Sequence, residues 1–481
     1  MPSHVVVRVK ASTAELQEAL ARVERELELP DGFPPEVVAA AKQAATRPTL
    51  PDLDRTDLPF VTIDPEGSMD LDQALHIERC GDGYTVHYAI ADVAAWVRAG
   101  DPVDLEAHRR GETLYGAGNR IPLHPTELSE GAASLLPGQV APALLWTIAL
   151  DGAGSWSDVR VERARVRSTA RWSYTGAQQA LDSGDPGAAG DVLPLLREVG
   201  RLREEQEAAR GGVNLPIPEQ EVEVADGTFR LELREQLPVE MWNAQVSLLT
   251  GMAAASLMLD GKVGLLRTLP PPAQRDVDRL RRVAKGLRIA WPGGTDYPAF
   301  IRSLDRTLPS HQAMAVACTR LLRGAGYAAF DGELPAQTEH SAIAAPYAHV
   351  TAPLRRLGDR YAGEVCVALC AGRPVPEWVL AALPDLPRTL ADAAHRAASH
   401  ERAVLDVLEA GLLRGRVGEE FDGVVTSVEE KDPRRGVLLV AEAGVEAPVV
   451  SADGALPLGT DVTARLAVAD LAARKVEFSL A

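Results

Sequence analysis

The sequence predicts an α+β protein in three parts: a small N-terminal helical segment over 1–45, a domain over 46–413 with a mixed, largely antiparallel sheet surrounded by helices, and a C-terminal five-stranded OB-fold barrel over 414–481. Three observations predict it. Strand-like apolar runs cluster between Phe60 and Arg167, including a pair at 143–150 and 159–167 around the turn Asp151-Gly152-Ala153-Gly154. Helical periodicity takes over from Ala177. Beyond residue 415 it gives way to five short strands with glycine turns, at 420–428, 437–440, 446–449, 461–468 and 475–480, which suits a small closed barrel.

Taken in order, residues 1–11 alternate Val with polar residues and fit a short strand. Leu16, Leu20, Val23 and Leu27 share one face of a helix over about 13–29, capped by Ser12 or Thr13 and broken at Pro30-Asp31-Gly32. Pro34-Pro35 starts a second helix to about 45. The two read as a helical lead-in or as a helix-turn-helix module; the second carries no basic recognition face, which favours the lead-in. After a polar linker at 46–58 come the strand run from Phe60, a strand at 83–93, a helix at 101–111 and an irregular loop at 114–123 containing Tyr115 and Arg120. On the strand at 159–167, alternation puts Arg163, Arg165 and Arg167 on one face. An exposed charged edge and a phosphate-contacting rib fit that pattern equally.

Helices come next from 177 and at 192–209, then a hairpin at 222–233 turning at Asp226-Gly227, a long apolar core helix at 238–259, and helices at 274–286 and 310–324. A loop with His340, Tyr347 and His349 leads through Pro353-Leu354-Arg355-Arg356 into a helix near Gly358. Proline at the entry and paired arginines fit a phosphate-facing helix N-terminus. The helix at 390–413 carries His395, His400 and Glu401.

Composition excludes several classes. With 46% hydrophobic and 25% charged residues in 481, the chain is an ordinary globular protein. A net charge of −18 argues against indiscriminate coating of nucleic acid, while leaving room for a local basic channel. Cys80, Cys318, Cys366 and Cys370 form no CxxC pair and read as free thiols of a reducing cytoplasm. The start MPSHVVVRVK lacks a signal-peptide apolar stretch. The longest apolar segment, 246–259, is interrupted by Thr250, Gly251 and Ser256 and is too short to span a bilayer. A soluble cytoplasmic monomer without a membrane partner is expected.

The chemistry concentrates in FVTIDPEGSMDLDQAL, residues 60–75. Asp64, Asp70 and Asp72 place three carboxylates within nine residues, entered through a Pro-Glu-Gly turn, with Gln73 beside them. Hard oxygen ligands so gathered suit Mg²⁺ or Mn²⁺ rather than zinc. Taken alone, the loop fits a polar turn with solvated acids at least as well. A calcium loop fits worse: the glycine is misplaced, and position twelve from Asp64 is Leu75 rather than a bidentate Glu.

Two stretches together resemble the ribonuclease II / ribonuclease R (RNB-domain) family of exoribonucleases. FVTIDPEGSMDLDQAL is similar to that family's metal-binding loop, and YAHVTAPLRRLGDRY to its Tyr-Ala-x-x-Thr-Ser-Pro-Ile-Arg-Arg-Tyr-x-Asp segment. NRIPLHPTELSEGAASLLPG is a weaker match. GEEFDGVVTSV and RKVEFSL resemble the OB-fold RNA-binding domain, of the ribosomal protein S-one type, that the family carries at its C-terminus. The resemblance implies a 3′→5′ exoribonuclease that takes single-stranded RNA by its 3′ end and releases 5′-nucleoside monophosphates, using Mg²⁺ or Mn²⁺, two ions in the catalytic complex. It implies that Asp64, Asp70 and Asp72 hold metal, that Arg355 contacts the scissile phosphate and that Tyr115 stacks on the terminal nucleotides. Glu401 matches, more loosely, a glutamate on the terminal nucleotide. In this context Arg120, Arg163, Arg165, Arg167, His340, Tyr347, Arg356 and Phe421 are further candidates for RNA contact.

The departures are as informative. Gln73 stands where the family has a fourth acid; it still offers a neutral oxygen to a metal, so the second ion is expected to bind more weakly. The family's aromatic base clamp has no counterpart around LRTLPPP, and NAQVSLLTGMAAAS lacks its paired glutamates. Some 30 residues precede the RNB-like region, so the two usual cold-shock domains are absent from this sequence.

Overall fold

The computed structural model describes all residues except 1–4, 9–12, 186, 188–189, 216–218, 226–227, 235, 306, 441–442, 444 and 481. The chain begins with β1 (Val5–Arg8), α1 (Thr13–Glu26) and α2 (Pro35–Ala45). It then lays down β2 (Phe60–Asp64), β3 (Gln73–Cys80) and β4 (Gly83–Ala91), then α3 (Pro102–Arg110) and the short ribbon β5 (Leu114–Tyr115) and β6 (Arg120–Ile121). β7 (Val140–Leu150) and the long β8 (Trp156–Ser173) complete the strands of the first half.

These strands close on themselves as a barrel in the order β2-β3-β4-β7-β8. Four pairings are antiparallel, and closure comes from β2 running parallel to the last part of β8, with Asp64 opposite Ser173. The largely antiparallel sheet expected from the sequence is therefore a closed barrel, which leaves no exposed edge to template aggregation. The closing pair joins residues about a hundred apart in sequence, and no local pattern announces it. β4 is buried along almost its whole length, Tyr84 to Ala91, because helices cover the barrel outside and side chains fill it inside.

Helices α4 (Tyr174–Ser183), α5 (Val192–Arg210) and α6 (Pro238–Gly261) pack on this barrel. Leu193, Leu196 and Val199 of α5 and Val246, Leu249 and Met258 of α6 share one core with Trp146, Tyr88 and Ile77 of the strands. Between α5 and α6, the expected hairpin is β9 (Glu219–Ala225) and β10 (Thr228–Arg234), with β1 added to its edge; its turn at 226–227 lies outside the described residues. The capping role read for Ser12 also lies outside them. β11 (Val263–Thr268) leads to α7 (Gln274–Gly286), α8 (Tyr297–Arg302) and α9 (Pro309–Cys318), which form a satellite core around Phe300 and Met314. β12 (Gly326–Asp331), the ribbon β13 (Glu339–His340) and β14 (Ala345–Pro346), then α10 (Leu357–Cys370), α11 (Glu377–Ala382) and α12 (Leu386–Leu413) complete this part. α8 and α11 are short helices that the periodicity did not predict.

β15 (Glu420–Val428), β16 (Arg435–Val440), β17 (Val445–Ser451), β18 (Asp461–Asp470) and β19 (Lys475–Leu480) form the second closed barrel, in the order β15-β16-β17-β19-β18. Its core continues into Val404, Val407 and Leu408 of α12 and into Leu16, Ala19 and Val23 of α1. Val37 and Ala41 of α2 belong to a different core, with Phe60 and Leu71. The two N-terminal helices thus bury their faces in separate places.

One expectation fails in this barrel. Phe421, proposed for RNA contact, is 1% exposed and meets Phe478 edge to face, with ring centroids 5.6 Å apart. Strand alternation turns it inward, and residue type alone does not give the phase of that alternation. Phe421→Ala is expected to destabilise the protein by about 3–5 kcal/mol, read as a lower urea midpoint. An unchanged midpoint with weakened RNA binding would return Phe421 to the surface.

Candidate active site

The strands β2 and β3 bring the acidic loop to one mouth of the first barrel. Asp64 ends β2 and Gln73 begins β3, so the loop between them hangs from two barrel strands. Gly67, at φ +80°, makes the turn that a side chain would strain. Ser134 pins the descending half of the loop: its hydroxyl donates to the Met69 carbonyl at 2.6 Å and accepts from the Leu71 N–H at 2.9 Å, fixing the backbone on both sides of Asp70. Ser134 lies in the weaker of the sequence matches, and its role has no signal there.

The second motif meets the first here. The Asp72 carboxylate, 3% exposed, accepts the Leu354 N–H at 2.7 Å on one oxygen and faces Arg355 Nε at 3.3 Å on the other. Gln73 Nε2 donates to the Thr351 carbonyl at 2.6 Å. The turn 351–356 is itself held by Asp359 in the first turn of α10, which accepts the Ala352 N–H at 2.8 Å and grips Arg356 at 2.7 Å. From the other side, the Thr113 N–H donates to the Arg355 carbonyl and the Leu357 N–H to the Gly111 carbonyl, both at 3.0 Å. These bonds place Tyr115, half exposed, beside Arg355, to which its hydroxyl is hydrogen-bonded. Arg120, opposite Tyr115 in the β5–β6 ribbon, binds Asp70 and also Glu130 at 2.7 Å. Asp64, Asp70, Asp72, Gln73, Tyr115, Arg120 and Arg355, scattered over nearly 300 residues of sequence, thus converge on one mouth.

Burial is the dominant electrostatic fact. It pushes both Asp64 and Asp72 up to about 7, against the nearby Arg355 charge, which pulls each back down. The Asp64 Oδ2 atom is buried without a hydrogen-bond partner. An orphaned buried oxygen of this kind is costly unless something positive meets it. A divalent cation fits these residues: hard oxygens, an unsatisfied one among them, and neighbouring groups already fixed. Among the described residues, no group of three or more His, Cys, Asp or Glu side chains is gathered as a ready-made metal cluster. Arginines hold two of the three acids instead.

The raised carboxyls carry a pH signature. Between about 4, where the unfolded aspartates release their protons, and about 7, where Asp64 and Asp72 do so when folded, the cation-free folded protein holds more protons than the unfolded chain. These two groups therefore make stability fall as pH rises through that window. In EDTA, the drop in melting temperature from pH 5 to pH 8 should be smaller in Asp64→Asn than in wild type. Equal drops in both would contradict the assignment.

Beside the mouth lies a chamber of about 490 Å³, walled by Gln73, Thr351, Arg355 and Arg356 on one side and by Tyr174, Asn243, Gln245 and Ser247 on the other. Asn243 bonds Tyr174, and the Ser247 hydroxyl lies 2.9 Å from that of Tyr88. These α6 residues come after the Pro238 helix start on a face that reads as core in the sequence, which is why sequence reasoning passes over them.

Other predicted residues lie elsewhere or are committed. Arg163 is bound to Asp92 at 2.7 Å and to Glu364, so it joins β8 to α10 and has no fork free for phosphate. Arg165 pairs with Asp54 at 3.2 Å, whereas Arg167 is exposed. Two of the three arginines on the shared strand face are thus committed to acids of the protein itself. Arg356 is spent on Asp359. Tyr347 is 7% exposed and packed against Gly251, where a Cβ would come within 2.2 Å of its ring, so it is a chamber wall and not a free stacking surface. His349 bonds the Tyr327 hydroxyl at 2.8 Å, and burial pushes His340 down to about 4, leaving it uncharged at neutral pH. Glu401 is exposed on α12, next to a buried His400 that lies against the Tyr115 loop at Gly116.

Fold and site together define a two-part protein: a barrel domain whose mouth combines carboxylates with an arginine-bearing turn, joined to an OB-type barrel. Residues 53–368 match the family model of the RNB domain, and residues 419–481 that of the RNase II-type exonuclease C-terminal S1 domain. The chain belongs to the RNB-domain family. It is 27% identical to Ribonuclease R of Aquifex aeolicus (strain VF5) over 452 residues, 88% of this chain and 62% of that relative. It is 28% identical to Ribonuclease R of Escherichia coli (strain K12) over 404 residues, 78% of this chain and 48% of the relative. The chain thus spans roughly half to three-fifths of these relatives. The fold is shared with the apo form of Mycoplasma genitalium RNase R, at a TM-score of 0.86 and 20% identity over 97% of this chain and 78% of that one. It is shared more distantly with yeast Ssd1, a pseudonuclease, at a TM-score of 0.69 and 16% identity over 90% of this chain and 55% of that one. No helix among the described residues is long and apolar enough to cross a membrane.

Proposed function

We propose that this chain is a divalent-metal-dependent 3′→5′ exoribonuclease that hydrolyses single-stranded RNA to 5′-nucleoside monophosphates, acting in RNA decay or processing as a cytoplasmic monomer. The observation that carries the reading is the joining of the acidic loop to the Arg355 turn through Asp72, beside a chamber of nucleotide dimensions. The family supports it, and solved complexes of Mycoplasma genitalium RNase R with single-stranded and double-stranded RNA support RNA as the ligand class.

In this reading Asp64, Asp70, Asp72 and the Gln73 oxygen hold Mg²⁺ or Mn²⁺, two ions in the complete complex with RNA. When bound, the cations supply an activated water and neutralise charge on the leaving 3′ oxygen. The chain's own residues do the rest. Arg355, fixed by two backbone bonds and by Asp72, offers its fork to the phosphate as charge develops. Tyr115, exposed above Arg355, stacks on a terminal base and sets how the 3′ end seats. Arg120 orients Asp70. Desolvation holds His340 and His349 below the usual histidine range, so both are uncharged at neutral pH.

The test is product analysis. Digestion in Mg²⁺ or Mn²⁺ should give 5′-monophosphates and stop in EDTA; 2′,3′-cyclic or 3′-phosphate products would overturn it. Gln73 favours a second reading, a catalytically weak homologue acting mainly as an RNA-binding protein. RNA binding without mononucleotide release in either metal would establish that one.

A further inference from the structure

The mouth contains its own cations, and their number bears on how many metal ions it can take. Asp70 is engaged by Arg120, which also binds Glu130. Asp72 is engaged on both oxygens, by the Leu354 N–H and by Arg355. Of the three aspartates, Asp64 keeps a buried oxygen with no hydrogen-bond partner. The Gln73 amide nitrogen is tied to the Thr351 carbonyl, which fixes the orientation of the amide and turns its oxygen away from that carbonyl. A carboxylate at this position could not donate that bond.

The charges can be balanced. With all four acids ionised, as a bound cation requires, Asp64, Asp70, Asp72 and Glu130 contribute four negative charges; Arg120, on Asp70 and Glu130, and Arg355, on Asp72, contribute two positive ones. The excess is at most two negatives, so charge balance leaves room for no more than one divalent ion. Arg171, which bonds the Ser68 carbonyl and the Met69 sulfur and whose charge reaches Asp64, lowers the excess further. A second divalent ion would have to displace an arginine or bring its own anion. An RNA phosphate is such an anion.

We propose that the RNA-free protein holds one divalent cation, anchored on Asp64, and that Gln73 and Arg120 together set this number: Gln73 by replacing a charged ligand with an amide locked to Thr351, Arg120 by occupying Asp70. Loading is therefore sequential, with any second ion arriving only with the RNA backbone. Gln73 is then a device that couples full metal loading to substrate, and not merely a weakened ligand. This rests on the reading of the mouth as a divalent-cation site.

The experiment is calorimetric titration of the RNA-free 481-residue chain with MnCl₂, with Mn²⁺ electron paramagnetic resonance to count bound ions. Wild type should bind one ion per chain, Asp64→Asn none and Gln73→Asp two, each variant checked by its thermal melt. Adding a non-hydrolysable single-stranded RNA analogue to wild type should raise the count to two. Two ions in RNA-free wild type would overturn the proposal; so would none, or a Gln73→Asp protein that still melts cooperatively and binds one. Arg120→Gln tests the same balance without touching the metal-facing residues of β2 and β3, and a folded protein with an unchanged count and unchanged Mn²⁺ affinity would overturn the role given to Arg120. RNA digestion by the same preparations keeps the two readings apart. Two bound ions with RNA hydrolysis overturns the sequential loading alone; one bound ion without hydrolysis overturns the exoribonuclease alone.

Discussion

Asp72→Asn loses RNA hydrolysis while keeping RNA binding. The carboxylate sits 3% exposed between the Leu354 N–H and Arg355. Asparagine preserves the shape and can still accept the Leu354 bond through its carbonyl oxygen. It removes the charge that a cation and Arg355 both use. A loss on the order of 10³-fold in the single-turnover rate is expected, the scale on which deletion of one preorganised electrostatic partner acts. Because burial raises the Asp72 carboxyl to about 7 in the cation-free state, the neutral amide should fold at least as well as the aspartate. A variant that melts normally, binds RNA and cleaves at the wild-type rate would remove Asp72 from the site.

Arg355→Ala should cost about 10²–10³-fold in the same rate, and Arg355→Lys should recover only part of it. Lysine restores the charge but not the planar fork, and its single ammonium cannot face Asp72 and a phosphate with the same geometry. Both variants should release Tyr115 from its bond to residue 355, so the length at which digestion stalls should shift as well as the rate. A rate loss with an unchanged terminal product would mean that Tyr115 seats the RNA end independently of Arg355.

Much of this site is legible in the sequence because its two halves are short and local. Asp64, Asp70, Asp72 and Arg355 all stand in contiguous motifs, and the structure brings them together. The barrel strands are legible as strands, and the OB barrel nearly residue by residue, because alternation and turn chemistry act over a few positions. Pairings between distant residues are not legible. The parallel closure of β2 on β8 has no local signal. Arg163 looks available to phosphate in the sequence because its partners, Asp92 and Glu364, lie 71 and 201 residues away. Phe421 looks like a stacking residue because composition does not say which face of β15 points inward, and the answer depends on Phe478 at the far end of the chain. Gln73 reads as a loss of charge; that its amide nitrogen ties the acidic loop to Thr351 across 278 residues emerges only from the fold.

The acidic loop and the Arg355 turn must act as one hydrolytic centre and not as two adjacent features. The direct test is a double-mutant cycle of Asp72→Asn and Arg355→Ala, read as single-turnover rates on 5′-labelled single-stranded RNA at saturating enzyme. Residues that act as a unit lose their effect together, so the double variant should be about as slow as the slower single variant. A double variant whose loss equals the product of the two single losses would contradict a single centre.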